Sequence, residues 1–334
     1  MTSRHTFILL IFLLLIRSGN SAAEEINIGG FVIPGSIASS LFYDYEKSLI
    51  EQSGGILKPN LLIHGEGGPE EQILAGIRRG RIHVASLSTL VLSNIVPELG
   101  YLGTPFLFDS KEQFDYVVDT LFTRIFSPLL AERGLTILRW LDLGGQNIYA
   151  NRPILWPQDA INVRLRSTQD IAARIFLESV GADVIYLTSP ETVPGLQSGL
   201  IDGGLTPTVA YVGTGLVADA PHYVLTNHFY LGGFLVANTS WLMKLPEGQR
   251  RIVTDNFASN ANIRSVMKEM IATALGMADE QNFTVHTLTP DQRAAWRSTS
   301  IGARATIISQ LGGKTQEIAD SIAFGSASYL IVKP

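Results

Sequence analysis

From residue 25 onward, short apolar runs alternate with amphipathic stretches, the pattern of an α/β chain. Residues 26–32 predict a strand. Residues 36–52 predict a helix that sets Ile37, Leu41, Tyr45 and Leu49 on one face and stops at Ser53-Gly54-Gly55. A second strand follows at 61–64. Pro69 then opens a helix with Ile73, Leu74 and Ile77 inward, ending at Gly80, and a third strand is expected at 82–86. Strand, helix, strand, helix, strand implies parallel pairing with right-handed crossovers. Ligands in such sheets bind beyond the carboxyl ends of the strands, so the loops after Val32, His64 and Ser86 come first as binding positions.

The middle of the chain continues in this style, with strands expected at 135–141, 147–150, 163–165 and 184–187 and helices at 170–180 and 190–198. Residues 247–289 contain no proline, and Ile263, Val266, Met267, Met270, Ile271, Ala274, Leu275 and Ala278 keep a helical repeat. One helix over about 247–281 would be roughly 50 Å long, longer than a small domain is wide. Two helices broken near Asn260 or Gly276 are the alternative. No linker composition, repeat or low-complexity tract divides the 334 residues.

The first residues stand apart. Arg4 and His5 precede an apolar run from Phe7 to Ile16, and Ser21-Ala22-Ala23 supplies small residues at a cleavage site. This is the pattern of a secretory signal peptide over residues 1–23, with an apolar core too short to span a bilayer. Retention as a membrane anchor is the alternative reading, since Arg17 sits behind the apolar run. Cleavage after Ala23 would remove Arg4 and Arg17 and take the net charge from -5 to -7. An acidic chain gives no footing for nucleic acid, whose phosphates demand a basic face. The absence of cysteine excludes disulfide scaffolds, thiol catalysis and thiolate metal sites.

Catalytic signals are poor. Gly195-Leu196-Gln197-Ser198-Gly199 lacks the G-x-S-x-G spacing of a nucleophile elbow and reads better as a helix end. Gly213-Thr214-Gly215-Leu216-Val217-Ala218 fits a dinucleotide fingerprint in letters, yet no acid lies between Asp219 and Glu247, so none stands about 20 residues on to hold a ribose. Beyond the leader, no two histidines have the i, i+4 spacing of a helical zinc site, so no metal and no cofactor is expected; His222 and His228 are merely near in sequence. Arg164 is more informative. It lies in the apolar strand Ile161-Asn162-Val163-Arg164-Leu165, on the face opposite Val163 and Leu165. A guanidinium there needs an anionic partner, which is either an internal Asp or Glu or the carboxylate of a ligand.

Five segments in order then carry a resemblance: Gly76-Ile77-Arg78-Arg79-Gly80-Arg81-Ile82; Leu102-Gly103-Thr104-Pro105-Phe106-Leu107-Phe108; Asn151-Arg152-Pro153-Ile154 followed by Val163-Arg164; Gly181-Ala182, Glu191, Leu196-Gln197-Ser198-Gly199 and Ile201-Asp202-Gly203; and Leu235-Val236-Ala237-Asn238 through Trp241 to Leu245-Pro246. Together they resemble the periplasmic solute-binding subunits of tripartite ATP-independent periplasmic (TRAP) transporters, of the dicarboxylate-binding type, over nearly all of the chain past the leader. The resemblance implies a type II periplasmic binding protein: two α/β lobes about a cleft, bridged by the long helix. Lobe I would comprise 24–143 plus 232–271 and lobe II 144–231 plus 272–334.

By the same resemblance, the chain captures a small organic acid in the periplasm and delivers it to small and large integral membrane subunits. Arg164 would pair with the carboxylate, and Gln146, Thr206, Ser86, Ser88 and Tyr230 would line the cleft. Trp140 and Tyr211 are candidate apolar walls. Gln146 stands where sialic-acid-binding members carry a second arginine, and Thr206 where they carry asparagine, which favours a monocarboxylate with an apolar or hydroxylated body. His83 stands where the family usually has an acid, and the usual proline near Arg166 is missing. A receptor for a sensor kinase, a periplasmic hydrolase, and the binding proteins of ABC or tricarboxylate uptake systems are the rival readings.

Overall fold

A computed structural model describes residues 24–332, so the expected signal peptide lies outside the described residues. The first five elements follow the predicted order: β1 (Glu24–Gly29), α1 (Ile37–Gln52), β2 (Leu57–Leu62), α2 (Glu70–Arg78) and β3 (Val84–Ser88). β1 pairs in parallel with β2 and with β3, the outcome that two right-handed crossovers require. Leu41, Tyr45 and Leu49 bury the inner face of α1 against Ile26, Ile28 and Leu57, while Ile37 stays in solvent at the helix start. Next come α3 (Thr89–Leu92), a 3-10 segment (Pro97–Gly103), α4 (Lys111–Val117), a π turn (Val118–Phe122) and α5 (Thr123–Ala131).

Where the alternation predicts two strands at 135–141 and 147–150, one 16-residue strand runs through, β4 (Leu135–Ala150). Asp142 and Gly144-Gly145 interrupt the apolar pattern without ending the ladder, and the register instead slips between Ile137/Arg139, Asp142/Gly144 and Gln146/Ile148. Gly144 adopts φ 86°, and a Cβ there would press on Ile271, so glycine serves both the backbone and the packing. The chain continues as β5 (Arg164–Ser167), α6 (Ile171–Ser179), β6 (Asp183–Tyr186), α7 (Thr192–Gln197), β7 (Gly203–Pro207), α8 (Thr208–Gly213) and the 17-residue β8 (His222–Asn238). The two glycine motifs are chain-turning features: Gly199 follows α7 and Gly215 follows α8, both with left-handed φ.

α9 (Thr239–Leu242) leads to the region expected as one long helix. It is two helices, α10 (Glu247–Asp255) and α11 (Asn260–Gly276). The break buries Phe257 edge-on against Phe42 and Tyr45, at 5.3 and 5.2 Å between ring centres. Ser259 then caps α11 by accepting the Asn262 N–H at 3.2 Å. α11 still bridges: it meets α1 near one end, lies along β4 and reaches α8. After it come β9 (Thr284–Thr287), α12 (Pro290–Thr299), α13 (Ala303–Leu311) and α14 (Thr315–Val332).

All nine strands form one sheet in the order β2-β1-β3-β8-β4-β7-β5-β6, with β9 added beside β8. The long antiparallel pair β4 and β8 joins a parallel group on one side to another on the other. α12 and α13 pack on elements of the second half, while α14, expected in lobe II, also meets the first. Ile318, Ala319 and Ile322 of α14 share a core with Phe114, Val117 and Leu121 of the first half. No helix among the described residues is long and apolar enough to cross a membrane.

Candidate ligand-binding site

A small cavity opens at the carboxyl ends of β5 and β7, where they meet the crossing strands. It is lined by Leu90, Gln146, Arg166, Ser167, Thr168, Ala173, Leu205 and Phe229. Leu90 comes from α3, Gln146 and Phe229 from the crossing strands, and the others from β5, the turn after it, α6 and β7. Its volume of about 10 Å³ holds roughly one water molecule, so a larger guest enters only if the walls part.

The cation in this cavity is Arg166. Its Nε donates to the Leu187 carbonyl oxygen at 2.9 Å, and it makes no salt bridge among the described residues. Burial pushes the guanidinium pKa down, with the neighbouring Tyr149 hydroxyl acting the other way. Gly204, directly opposite Arg166 in the β5–β7 ladder, leaves the room that the arginine stem occupies, for a Cβ there would lie 3.0 Å from the Arg166 Cβ. The Tyr149 hydroxyl is buried without a hydrogen-bond partner, and burial raises its pKa to about 12.

Arg164 is elsewhere. Its side chain is 44% exposed and forks onto Asp202, with Nε to Oδ2 at 2.9 Å and Nη2 to Oδ1 at 2.7 Å. Nη1 donates to the Gly199 carbonyl oxygen at 2.6 Å. The hydrogen bonds that Arg164 donates to Asp202 raise the Arg164 pKa and lower that of Asp202. The internal carboxylate is therefore its partner, and the expectation that Arg164 faces a ligand is corrected. Period-two alternation puts Arg164 and Arg166 on the same face of β5, so it cannot choose between them. The Ile201-Asp202-Gly203 segment that returns beside Arg164 held the distinguishing signal.

The other expected residues divide. Gln146 lines the cavity, 6% exposed, with Oε1 unpartnered. Thr206 is buried opposite Asn147 rather than Gln146, and the pleat turns it to the other face from Gln146. Ser88 is committed to structure. Its N–H and hydroxyl donate to the half-buried Glu70 carboxylate at 2.8 and 2.7 Å, and its oxygen caps α3. Ser86 packs beside Gly30. Tyr230 lies on Phe114, at 5.2 Å between ring centres.

Neither expected apolar wall lines the cavity. Trp140 is enclosed by Phe114, Phe122 and Phe234, in space that Gly232 leaves open. Tyr211 is fully buried, stacked 4.3 Å from Tyr223 with its hydroxyl on the Ala220 carbonyl oxygen at 2.8 Å. His222 meets His286, Nδ1 to Nε2 at 3.0 Å, while His228 bonds Thr226 at 2.8 Å. Among the described residues no group of three or more His, Cys, Asp or Glu is placed to hold a metal ion. Of the lining of this candidate site, only Gln146 was among the expected residues; Arg166, Ser167 and Thr168 are its polar members that sequence reasoning missed.

Comparison with known proteins agrees with this architecture. Residues 34–308 match the model of the DctP family, bacterial extracellular solute-binding protein, family 7. The chain is 25% identical over 213 residues to a solute-binding protein of Chromohalobacter salexigens, an alignment covering 63% of this chain and 63% of that relative's length. It is 25% identical over 272 residues to the C4-dicarboxylate-binding periplasmic protein DctP of Vibrio cholerae, covering 79% of each. The fold matches the crystal structure of the sugar acid binding protein DctPAm of Advenella mimigardefordensis in complex with galactonate. That match has a TM-score of 0.84 at 22% identity and covers 91% of this chain and 99% of the other. With the family model matching most of this chain, the chain belongs to the DctP family of bacterial extracellular solute-binding proteins.

Proposed function

We propose that this protein captures a small organic acid outside the cytoplasmic membrane and delivers it to the membrane subunits of a TRAP transporter, with Arg166 holding the carboxylate. One observation carries the reading: the half-buried guanidinium of Arg166 lines the cavity and makes no salt bridge among the described residues. A buried cation without a counter-charge is costly, and a ligand carboxylate supplies the missing charge through a bidentate fork. The lining includes no histidine or carboxylate for acid–base work, which speaks for capture over hydrolysis. Residues 1–23 would direct export and be removed after Ala23.

Binding and closure are coupled in this reading. The cavity wall joins Leu90 of the first half to Arg166 and Leu205 of the second across Gln146 and Phe229, so a ligand touches all of them only when the halves are together. It therefore favours the closed form by its extra contacts there, and the closed form docks on the membrane subunits. A thermal-shift screen of the purified mature protein against organic acids tests the proposal. An acid present at about 100 times its dissociation constant stabilises the fold by about 2.7 kcal/mol. A screen in which neutral sugars or cations shift the protein and no acid does would overturn it.

A further inference from the structure

We infer that the ligand carries a hydroxyl on the carbon next to its carboxylate, and that Gln146 and Ser167 read that hydroxyl. The inference rests on the assignment of the carboxylate to Arg166 and narrows it to 2-hydroxy monocarboxylates. Two buried polar atoms of the lining residues have no hydrogen-bond partner, Gln146 Oε1 and Ser167 Oγ, and the two residues are 6% and 1% exposed. Gln146 Oε1 can only accept, while Ser167 Oγ can donate and accept. A hydroxyl satisfies both by donating to Gln146 and accepting from Ser167. A second carboxylate accepts from the serine and from Gln146 only if the amide turns to offer Nε2, and it leaves Oε1 without a donor.

The position of the hydroxyl follows from adjacency. Arg166 and Ser167 are consecutive on β5 and share one cavity with Gln146. If a carboxylate occupies Arg166, the group that reaches the other two belongs to the adjoining carbon. Thr168 and the apolar Leu90, Ala173, Leu205 and Phe229 complete the lining, and no second cation stands among them to neutralise a dicarboxylate.

Calorimetric titration with matched acids tests this: galactonate against its 2-deoxy analogue, lactate against propionate, glycerate against 3-hydroxypropionate, and succinate as the dicarboxylate. In each pair that binds, the 2-hydroxy member binds about tenfold tighter or more, because a site built to pair a hydroxyl rejects the analogue lacking it. Ser167→Ala and Gln146→Leu bring that ratio towards one, and Gln146→Arg moves the preference towards succinate. Equal binding within the pairs, or tighter binding of succinate by the unaltered protein, overturns the hydroxyl assignment and leaves the carboxylate reading standing. If none of these acids nor any other binds, the carboxylate reading itself fails, and this inference with it. The pairs are compared on the unaltered protein, so the test holds even if a variant does not fold.

Discussion

Two arginines two residues apart on one strand have different fates because of what lies beside each. Arg164 meets Asp202 and Gly199 at the surface; Arg166 lies against Gly204 and the Leu187 carbonyl oxygen in the cavity wall. Alternation along β5 could name the face but not the residue, and only the long-range return of Asp202 decides. Arg164→Ala is therefore expected to leave acid affinity within about twofold, since an exposed ion pair contributes little; calorimetry on that variant would expose the error if affinity fell tenfold. His228 gives a separate prediction. Burial and the nearby Arg293 hold its pKa down at about 3, so the folded state keeps it neutral while the unfolded chain protonates below about 6.5. The native state then binds fewer protons between those values. Its stability contribution is complete above pH 6.5 and is lost as pH falls towards 3. At pH 5 the loss is about 2 kcal/mol. Urea unfolding of the protein and of His228→Gln at pH 7.5 and pH 5 should show the unaltered protein losing that much more; parallel losses would contradict it.

Elements were legible where one local pattern decides them. The parallel group of β1, β2 and β3 came from short apolar runs punctuated by glycine, and α1 from a clean helical face. β4 was not, because Asp142 and Gly144-Gly145 look like an ending. In the fold Asp142, 3% exposed at its side chain, is held by Lys111 Nζ at 2.6 Å and accepts from the Gly144 N–H at 3.0 Å. Lys111 also holds Asp115 at 2.6 Å, and Arg264 of α11 reaches Asp115 at 2.9 Å and Asp119 at 2.7 Å. This chain of charges ties α4, the π turn and α11 to the middle of β4. Lys111→Met, which leaves Asp142 buried without its cation, should cost about 3 kcal/mol. Adding Asp142→Asn should recover much of the loss. Denaturant unfolding of the two variants measures this, and a single variant as stable as the parent would show that the lysine does not neutralise Asp142. The expected 247–281 helix failed for a related reason. Its repeat is real in α11, but Phe257 satisfies the core rather than the helix face, and Ser259 offers a cap.

On the scale of the molecule, the order of family-like segments carried the architecture further than any single pattern, since each segment alone is short and weak. It indicated two α/β halves, and the sheet, with β8 and β4 at its centre joining two parallel groups, has that form. It could not show that α14 returns to the first half, because that packing joins residues some two hundred positions apart. The acidic balance of the chain does not oppose an anionic ligand when one half-buried guanidinium in a cavity wall sets the local field. Binding should accordingly depend only modestly on salt between about 0.05 and 0.2 M, as buried pairs are screened less than exposed ones; a steep salt dependence would point to a surface site instead. The most direct test is calorimetric titration of the acid found by the thermal screen into the unaltered protein and into Arg166→Ala. Losing a charge-assisted hydrogen bond of about 1.5–3 kcal/mol predicts roughly 10- to 150-fold weaker binding, with the fold retained. Affinity equal to that of the unaltered protein would contradict the assignment of Arg166 to the carboxylate.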